Sequence, residues 1–187
     1  MTSYTPETDI VTWAYDVARD HLAEPLPRRW THVRGVVELA REVAPVVADD
    51  PDMLIAAAAL HDIGWSPAIR RSTLPALDAA RRLEQLDAPA RLVGLVANYD
   101  FASLEARYRG LAEEHARYAD ERTPTRDALW YCDLRVGPDG QRMTVSERFA
   151  ELFVRYAADT VGKEWFAEAE PELRAACDRT DALLTAT

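Results

Sequence analysis

Eight apolar residues in a row, Met53-Leu54-Ile55-Ala56-Ala57-Ala58-Ala59-Leu60, constrain the folding of this chain more than any other stretch. The run follows Asp50-Pro51, a capping carboxylate and then a proline whose missing N–H costs nothing in a first helical turn. It closes on His61-Asp62-Ile63-Gly64, with the glycine as the stop. A segment of this kind belongs to a core. It therefore carries an imidazole and a carboxylate into the interior, where an unpaired charge is expensive. A divalent cation would satisfy such a pair and would put the chain in the business of activating water or polarising an oxygen.

The rest of the chain repeats apolar residues at helical spacing almost throughout. Helices are expected at about 8–23, at about 27–47, from Pro51 to His61-Asp62, at 75–86 and at 89–99. A helical stretch from Ser103 to Tyr118 should break near Gly110, and a short helix covers Thr125 to Asp133. Gly137-Pro138-Asp139-Gly140 is a strong turn signal. Ser146 is the expected cap of a helix carrying Phe149, Leu152, Phe153 and Tyr156, and a last helix spans about 161–184. Alternating β-branched segments are missing, so the fold class is all-α. With no linker of proline, glycine or serine, residues 1–187 are read as one domain.

A formal net charge of -10, with Lys163 the only lysine and no basic block, argues against binding to a nucleic-acid polymer or a membrane surface. The N-terminus has no leader-like apolar stretch and no run reaches membrane-spanning length, which reads as a cytoplasmic protein. Cys132 and Cys177 are too few for a disulfide framework, and Cys132 reads as a small core residue. A homodimer is compatible with the many aromatic and alanine residues, although no face is marked for it.

Four potential ligands for a metal stand out: His32, His61, Asp62 and Asp133. An antiparallel helix pair joined through the Pro45 to Pro51 region can bring His32 beside His61, and Asp133 ends a later helix. Imidazole and carboxylate suit one divalent ion such as Mn, Fe, Co, Ni or Zn. The other two histidines lie among charged residues and are expected on the surface: His115 in Glu113-Glu114-His115-Ala116-Arg117, and His21 between Asp20 and Glu24.

The order of these residues adds what spacing alone does not. His32 within Trp30-Thr31-His32-Val33-Arg34-Gly35-Val36, then His61-Asp62-Ile63-Gly64, then Leu129-Trp130-Tyr131-Cys132-Asp133-Leu134, resembles the HD-domain superfamily of metal-dependent phosphohydrolases over about residues 28–156. The resemblance implies a helical bundle with one metal held by His32, His61, Asp62 and Asp133. It also implies that Asp62 is the catalytic carboxylate, both ligand and orienter of the attacking water. An arginine that contacts phosphate is implied too, with Arg28 and Arg29 as first candidates and Arg70 and Arg71 next. Two-metal members carry further histidines, and Pro75 and the Asn98-Tyr99 pair stand at those positions here, so the resemblance implies a single metal. Asn98 can bind a substrate oxygen or cap a helix end, and Asp78 either supports the site or faces solvent.

The leading expectation is thus a hydrolase of a small phosphorylated metabolite, such as a nucleoside monophosphate, acting through metal-activated water. The alternatives are a hydratase or C–N hydrolase using the same centre, and a non-catalytic domain that binds a metal and a metabolite.

Overall fold

A computed structural model describes residues 3–157 and 159–186, and the chain is all-α. The helices are α1 (Ile10–Leu22), α2 (Pro27–Val47), α3 (Pro51–Leu60), α4 (Pro75–Glu84) and α5 (Ala90–Ala97), then α6 (Ala102–Tyr108), α7 (Ala112–His115), α8 (Pro124–Leu134), α9 (Val145–Tyr156) and α10 (Thr160–Thr185). Single 3-10 turns at Ile63–Trp65 and Tyr99–Phe101 follow α3 and α5. Among the described residues the one extended pairing is an isolated bridge between Val136 and Arg142. No described helix is long and apolar enough to cross a membrane.

The apolar run becomes the central helix. Every residue of α3 from Met53 to Leu60 is buried, and α1, α2 and α8 pack around it. Its alanines at 56–59 let those neighbours approach closely. A second buried helix, α8, is enclosed from Thr125 to Leu134 by α2, α3 and α10. The functional groups therefore ride on the two most enclosed helices and on α2 between them.

Prolines at the first turns of α2, α3, α4 and α8 start helices where the sequence places them. Gly110, at φ +71°, separates α6 from α7 as expected. The cap of α9 is Thr144 and not Ser146. Its hydroxyl accepts from the Glu147 backbone N–H while the Glu147 carboxylate accepts from the Thr144 N–H, a reciprocal arrangement that starts the helix two residues early.

Both spare histidines are corrected from exposed to buried. His115, 3 % exposed, lies beneath the end of α5, where its Nε2 donates to the Ala97 carbonyl at 2.8 Å. That carbonyl belongs to a last helical turn, which lacks partners within the helix. His21, 6 % exposed, is enclosed at the end of α1, and burial pushes its imidazole down to about 4, so it is neutral at pH 7. The charged neighbours of both histidines point outward while the imidazoles point in, a division that depends on helix phase.

Candidate metal centre

The end of α3 delivers His61 and Asp62, α2 delivers His32, and α8 delivers Asp133. His32 Nε2 lies 2.7 Å from Asp133 Oδ1, and His61 Nε2 lies 3.7 Å from that same oxygen. Asp62 Oδ2 is 3.6 Å from His61 Nε2 and 4.0 Å from His32 Nε2. All four residues are at most 5 % exposed. Ligand atoms bound to one ion at ~2.1 Å stand about 3–4.2 Å apart. Three of these separations fall in that span, and the shorter fourth is a direct His32–Asp133 hydrogen bond.

Both imidazoles are oriented for coordination. His32 Nδ1 donates to the Gly137 carbonyl at 3.1 Å and His61 Nδ1 donates to the Ala58 carbonyl at 2.8 Å. With Nδ1 carrying the proton, His61 Nε2 presents a lone pair to the cluster, the outer-shell device typical of metal-binding histidines, while His32 Nε2 is held on Asp133 Oδ1. His61 Nε2 is buried without a hydrogen-bond partner. His32 Nε2 faces a carboxylate oxygen, which a lone pair tolerates only with a cation or an added proton between them. The ligand atoms of His32, His61 and Asp133 all lie within 4.8 Å of one another and fit a divalent metal, while the two Asp62 oxygens are engaged by Arg29 and Tyr99.

The glycine turn after α8 serves this geometry. Gly140, at φ +78°, packs on α2 so closely that a Cβ there would fall 2.9 Å from the Thr31 carbonyl oxygen. A Cβ on Gly35 would meet Gly140 O at 2.7 Å. Two glycines facing each other let the turn bring the Gly137 carbonyl onto His32.

Charges around the cluster are balanced closely. Burial acts to raise Asp133, but the His32 hydrogen bond and then His32, Arg148 and His61 hold it well below the usual carboxylate range. Asp62 is likewise lowered against burial by Arg29 and the two histidines. Arg29 donates to Asp62 Oδ2 at 2.5 Å, and the Tyr99 hydroxyl donates to Asp62 Oδ1 at 3.3 Å. Asp100 is the opposite case: burial, then the Asp133 charge and a hydrogen bond with it, push this carboxyl well above its normal range.

The folded chain thus binds a proton at Asp100 that the unfolded chain releases near pH 3.8. Stability from this group is complete below that value and declines as pH rises toward the folded pKa. Asp100→Asn, stripped of metal with a chelator, is expected to melt higher than the parent at pH 7. The two should converge near pH 3. A variant melting lower at pH 7 shows that Asp100 is ionised and paired with Arg148.

His32, Asp62 and Asp133 open onto a cavity of 800 Å³, with Arg29, Trp65, Tyr99, Asp100 and Arg148 among its walls. Of the arginines expected from the sequence, Arg29 is in this cavity and bonded to Asp62. Arg28 stands at its edge, exposed, and forms a two-pronged pair with Asp139 at 2.7 and 3.1 Å. Arg70 lies outside it, over the Trp65 ring at 5.1 Å. The Arg71 guanidinium is spent on the Arg70 and Ala68 carbonyls. Asn98 is buried away from the cavity, its amide donating to the Gly94 and Tyr118 carbonyls. The helix-end alternative holds for Asn98. Asp78 is buried and accepts from the Arg71 and Ser72 backbone N–H groups, fixing the loop before α4.

Sequence reasoning missed Arg148. On α9, 3 % exposed, it stands 3.5 Å from Asp133 Oδ1 and donates to Glu151 at 2.6 Å. A signal existed: Arg148 precedes Leu152 by four residues and so shares the inward face of α9.

A family model described as HD domain matches residues 29–159. No curated protein and no solved structure gives a significant match.

Proposed function

Because the chain belongs to the HD-domain family, composed mostly of metal-dependent phosphohydrolases, we propose that it hydrolyses a small phosphorylated metabolite at this centre. His32, His61, Asp62 and Asp133 would hold one divalent ion, drawn from Mn, Fe, Co, Ni or Zn. Such an ion supplies Lewis acidity and makes water a competent nucleophile near neutral pH.

The observation that carries the reading is the pair of shielded arginines beside the cluster. Arg29 approaches it from α2 and Arg148 from α9, and both line the 800 Å³ cavity. Their side chains are 24 % and 4 % exposed. Two guanidinium groups kept from water beside a metal-binding cluster suit a phosphate dianion, whose oxygens match their planar donor forks. A small neutral substrate would leave them without a counter-charge beyond the carboxylates. Asp62, held by Arg29 and Tyr99, would orient the attacking water and accept its proton. Arg29 and Arg148 would follow the charge as it grows on the phosphoryl oxygens, the interaction that lowers the barrier most.

The test is phosphate release from a panel of nucleoside monophosphates and sugar phosphates, with the protein loaded in turn with each metal. At least one ester should be turned over, and Arg148→Gln should lower kcat/KM by about 10²-fold, the usual cost of one lost transition-state donor. Release from no ester under any metal sinks the hydrolase reading.

A further inference from the structure

A second cavity, of 280 Å³, adjoins the first, and the two share Trp65, Tyr99, Asp100 and Tyr156 as walls. Resting on the phosphoester reading above, we propose that this second cavity is the subsite for the substrate's leaving group. We further propose that the part of this group seated here is an uncharged planar heteroaromatic ring with hydrogen-bonding edges.

Size sets the first limit. Pockets for whole small molecules run about 300–1,000 Å³, so this space holds one ring system and not an entire metabolite. The larger cavity takes the phosphate and whatever links it to that ring. The walls set the second limit. Trp65, Tyr99, Tyr156 and Trp165 supply four aromatic side chains, a surface that favours a flat partner in stacked or edge contact. Tyr156 and Trp165 are already perpendicular, with centroids 5.7 Å apart.

Polar groups in the lining decide against a purely hydrocarbon occupant. Trp165 is 2 % exposed, and its indole Nε1 is buried without a hydrogen-bond partner. A buried indole N–H normally has one, and leaving it unpaired is unfavourable. Glu105 and Arg109, with side chains 13 % and 16 % exposed, are joined at 2.6 Å and place an acceptor beside a donor in the wall. An aliphatic group would leave the Trp165 N–H unanswered. A second phosphate would face Glu105 and Asp159, and a cation would face Arg70 and Arg109. A neutral ring with both donor and acceptor edges answers the lining without a charge conflict.

The geometry also joins the two subsites. Trp65 carries the Arg29 guanidinium at 4.4 Å and that of Arg70 at 5.1 Å, so one ring braces an anion-binding arginine and forms a wall of the second cavity. Tyr99 bonds Asp62 while lining both spaces.

The decisive experiment is equilibrium binding to metal-free protein by calorimetry and tryptophan quenching. The probes are adenosine, guanosine, cytidine and uridine, with ribose and inorganic phosphate as controls. At least one nucleoside should bind, and ribose should not. Trp165→Phe keeps the ring but loses the N–H, and should weaken that nucleoside about 3- to 10-fold, as loss of one hydrogen bond predicts. Glu105→Gln exchanges an acceptor for an amide and should change the rank order of the four nucleosides, which a merely structural effect would not do. Circular dichroism melting establishes that each variant is folded.

Failure of every nucleoside to bind overturns the proposal. So does binding whose strength and ranking ignore both substitutions. Nucleoside binding without phosphate release from any ester leaves the subsite standing and removes the hydrolase reading. Equal turnover of nucleotides and base-free sugar phosphates does the reverse.

Discussion

His61→Ala is expected to abolish metal uptake, with bound metal falling from about one equivalent per chain to near zero in equilibrium dialysis. The affinity loss should exceed the 10- to 100-fold typical of removing an outer-shell partner, because His61 itself presents the lone pair. His61 Nε2 has no hydrogen-bond partner in the folded chain, so the metal-free variant forfeits packing and the Nδ1 bond to the Ala58 carbonyl but no contact at Nε2. The informative quantity is the melting shift on adding metal. A ligand at 100 times its Kd stabilises by about 2.7 kcal/mol, which raises the parent's Tm by roughly 5–10 °C. The variant should show almost none of that rise. An undiminished rise places the ion elsewhere, and a parent that takes up no metal removes the centre from the chemistry altogether.

Gly64→Ala is the second large effect, and it acts on folding. A Cβ on Gly64 would lie 1.9 Å from the Pro75 carbonyl oxygen, 2.7 Å from its carbon and 3.0 Å from the Ala79 nitrogen. All three are backbone atoms in the first two turns of α4, so no rotamer change relieves the overlap. Either α4 moves away from the turn after His61-Asp62 or that turn deforms. The expected cost is above about 4 kcal/mol, the range reached only by the most disruptive substitutions. Urea unfolding measures it, with Gly94→Ala in α5 as the comparison. There the nearest atom is Ala119 O at 3.3 Å, and a helical glycine-to-alanine gain of about 1 kcal/mol opposes a slight crowding. Similar midpoints for the two variants would show that α4 yields easily and that close packing at Gly64 does not hold the site.

The two effects separate what the motif His61-Asp62-Ile63-Gly64 does. His61 supplies a donor, while Gly64 lets α4 pack against the chain just beyond it. Neither role substitutes for the other, since one is a lone pair and the other is empty space.

Much of the fold was legible because its signals are local. Proline at the first helical turn, a capping aspartate at Asp50 and a left-handed glycine at 110 each act within a few residues. The helix starts and the break between α6 and α7 followed from them. Thr144 displaced Ser146 as a cap through an equally local device, the reciprocal bond with Glu147, which a search for the capping box would have found. The order His32, His61-Asp62, Asp133 was legible as a resemblance to a family.

What stayed hidden depends on which face of a helix meets which neighbour. His21 and His115 sit among charged residues, yet a rotation of about 100° per residue turns the imidazoles inward and their neighbours outward. Arg28 and Arg29 are adjacent in sequence, and only Arg29 reaches Asp62 while Arg28 pairs with Asp139. Arg148 joins the centre because α9 lies across the cavity mouth, a placement set by its packing against α8 and α10. Pro75 and Tyr99 marked the loss of further histidines, but nothing in their order revealed that Tyr99 would bond Asp62 or that both would line a second cavity.

By itself, then, the sequence determined the helical class, the buried course of Met53–Leu60 and the candidate ligands, because period, caps and residue chemistry are properties of short segments. Only the tertiary structure decided which arginines attend those ligands and what space adjoins them. Distances across a cavity are fixed by the packing of whole helices, and a linear chain carries no direct record of them.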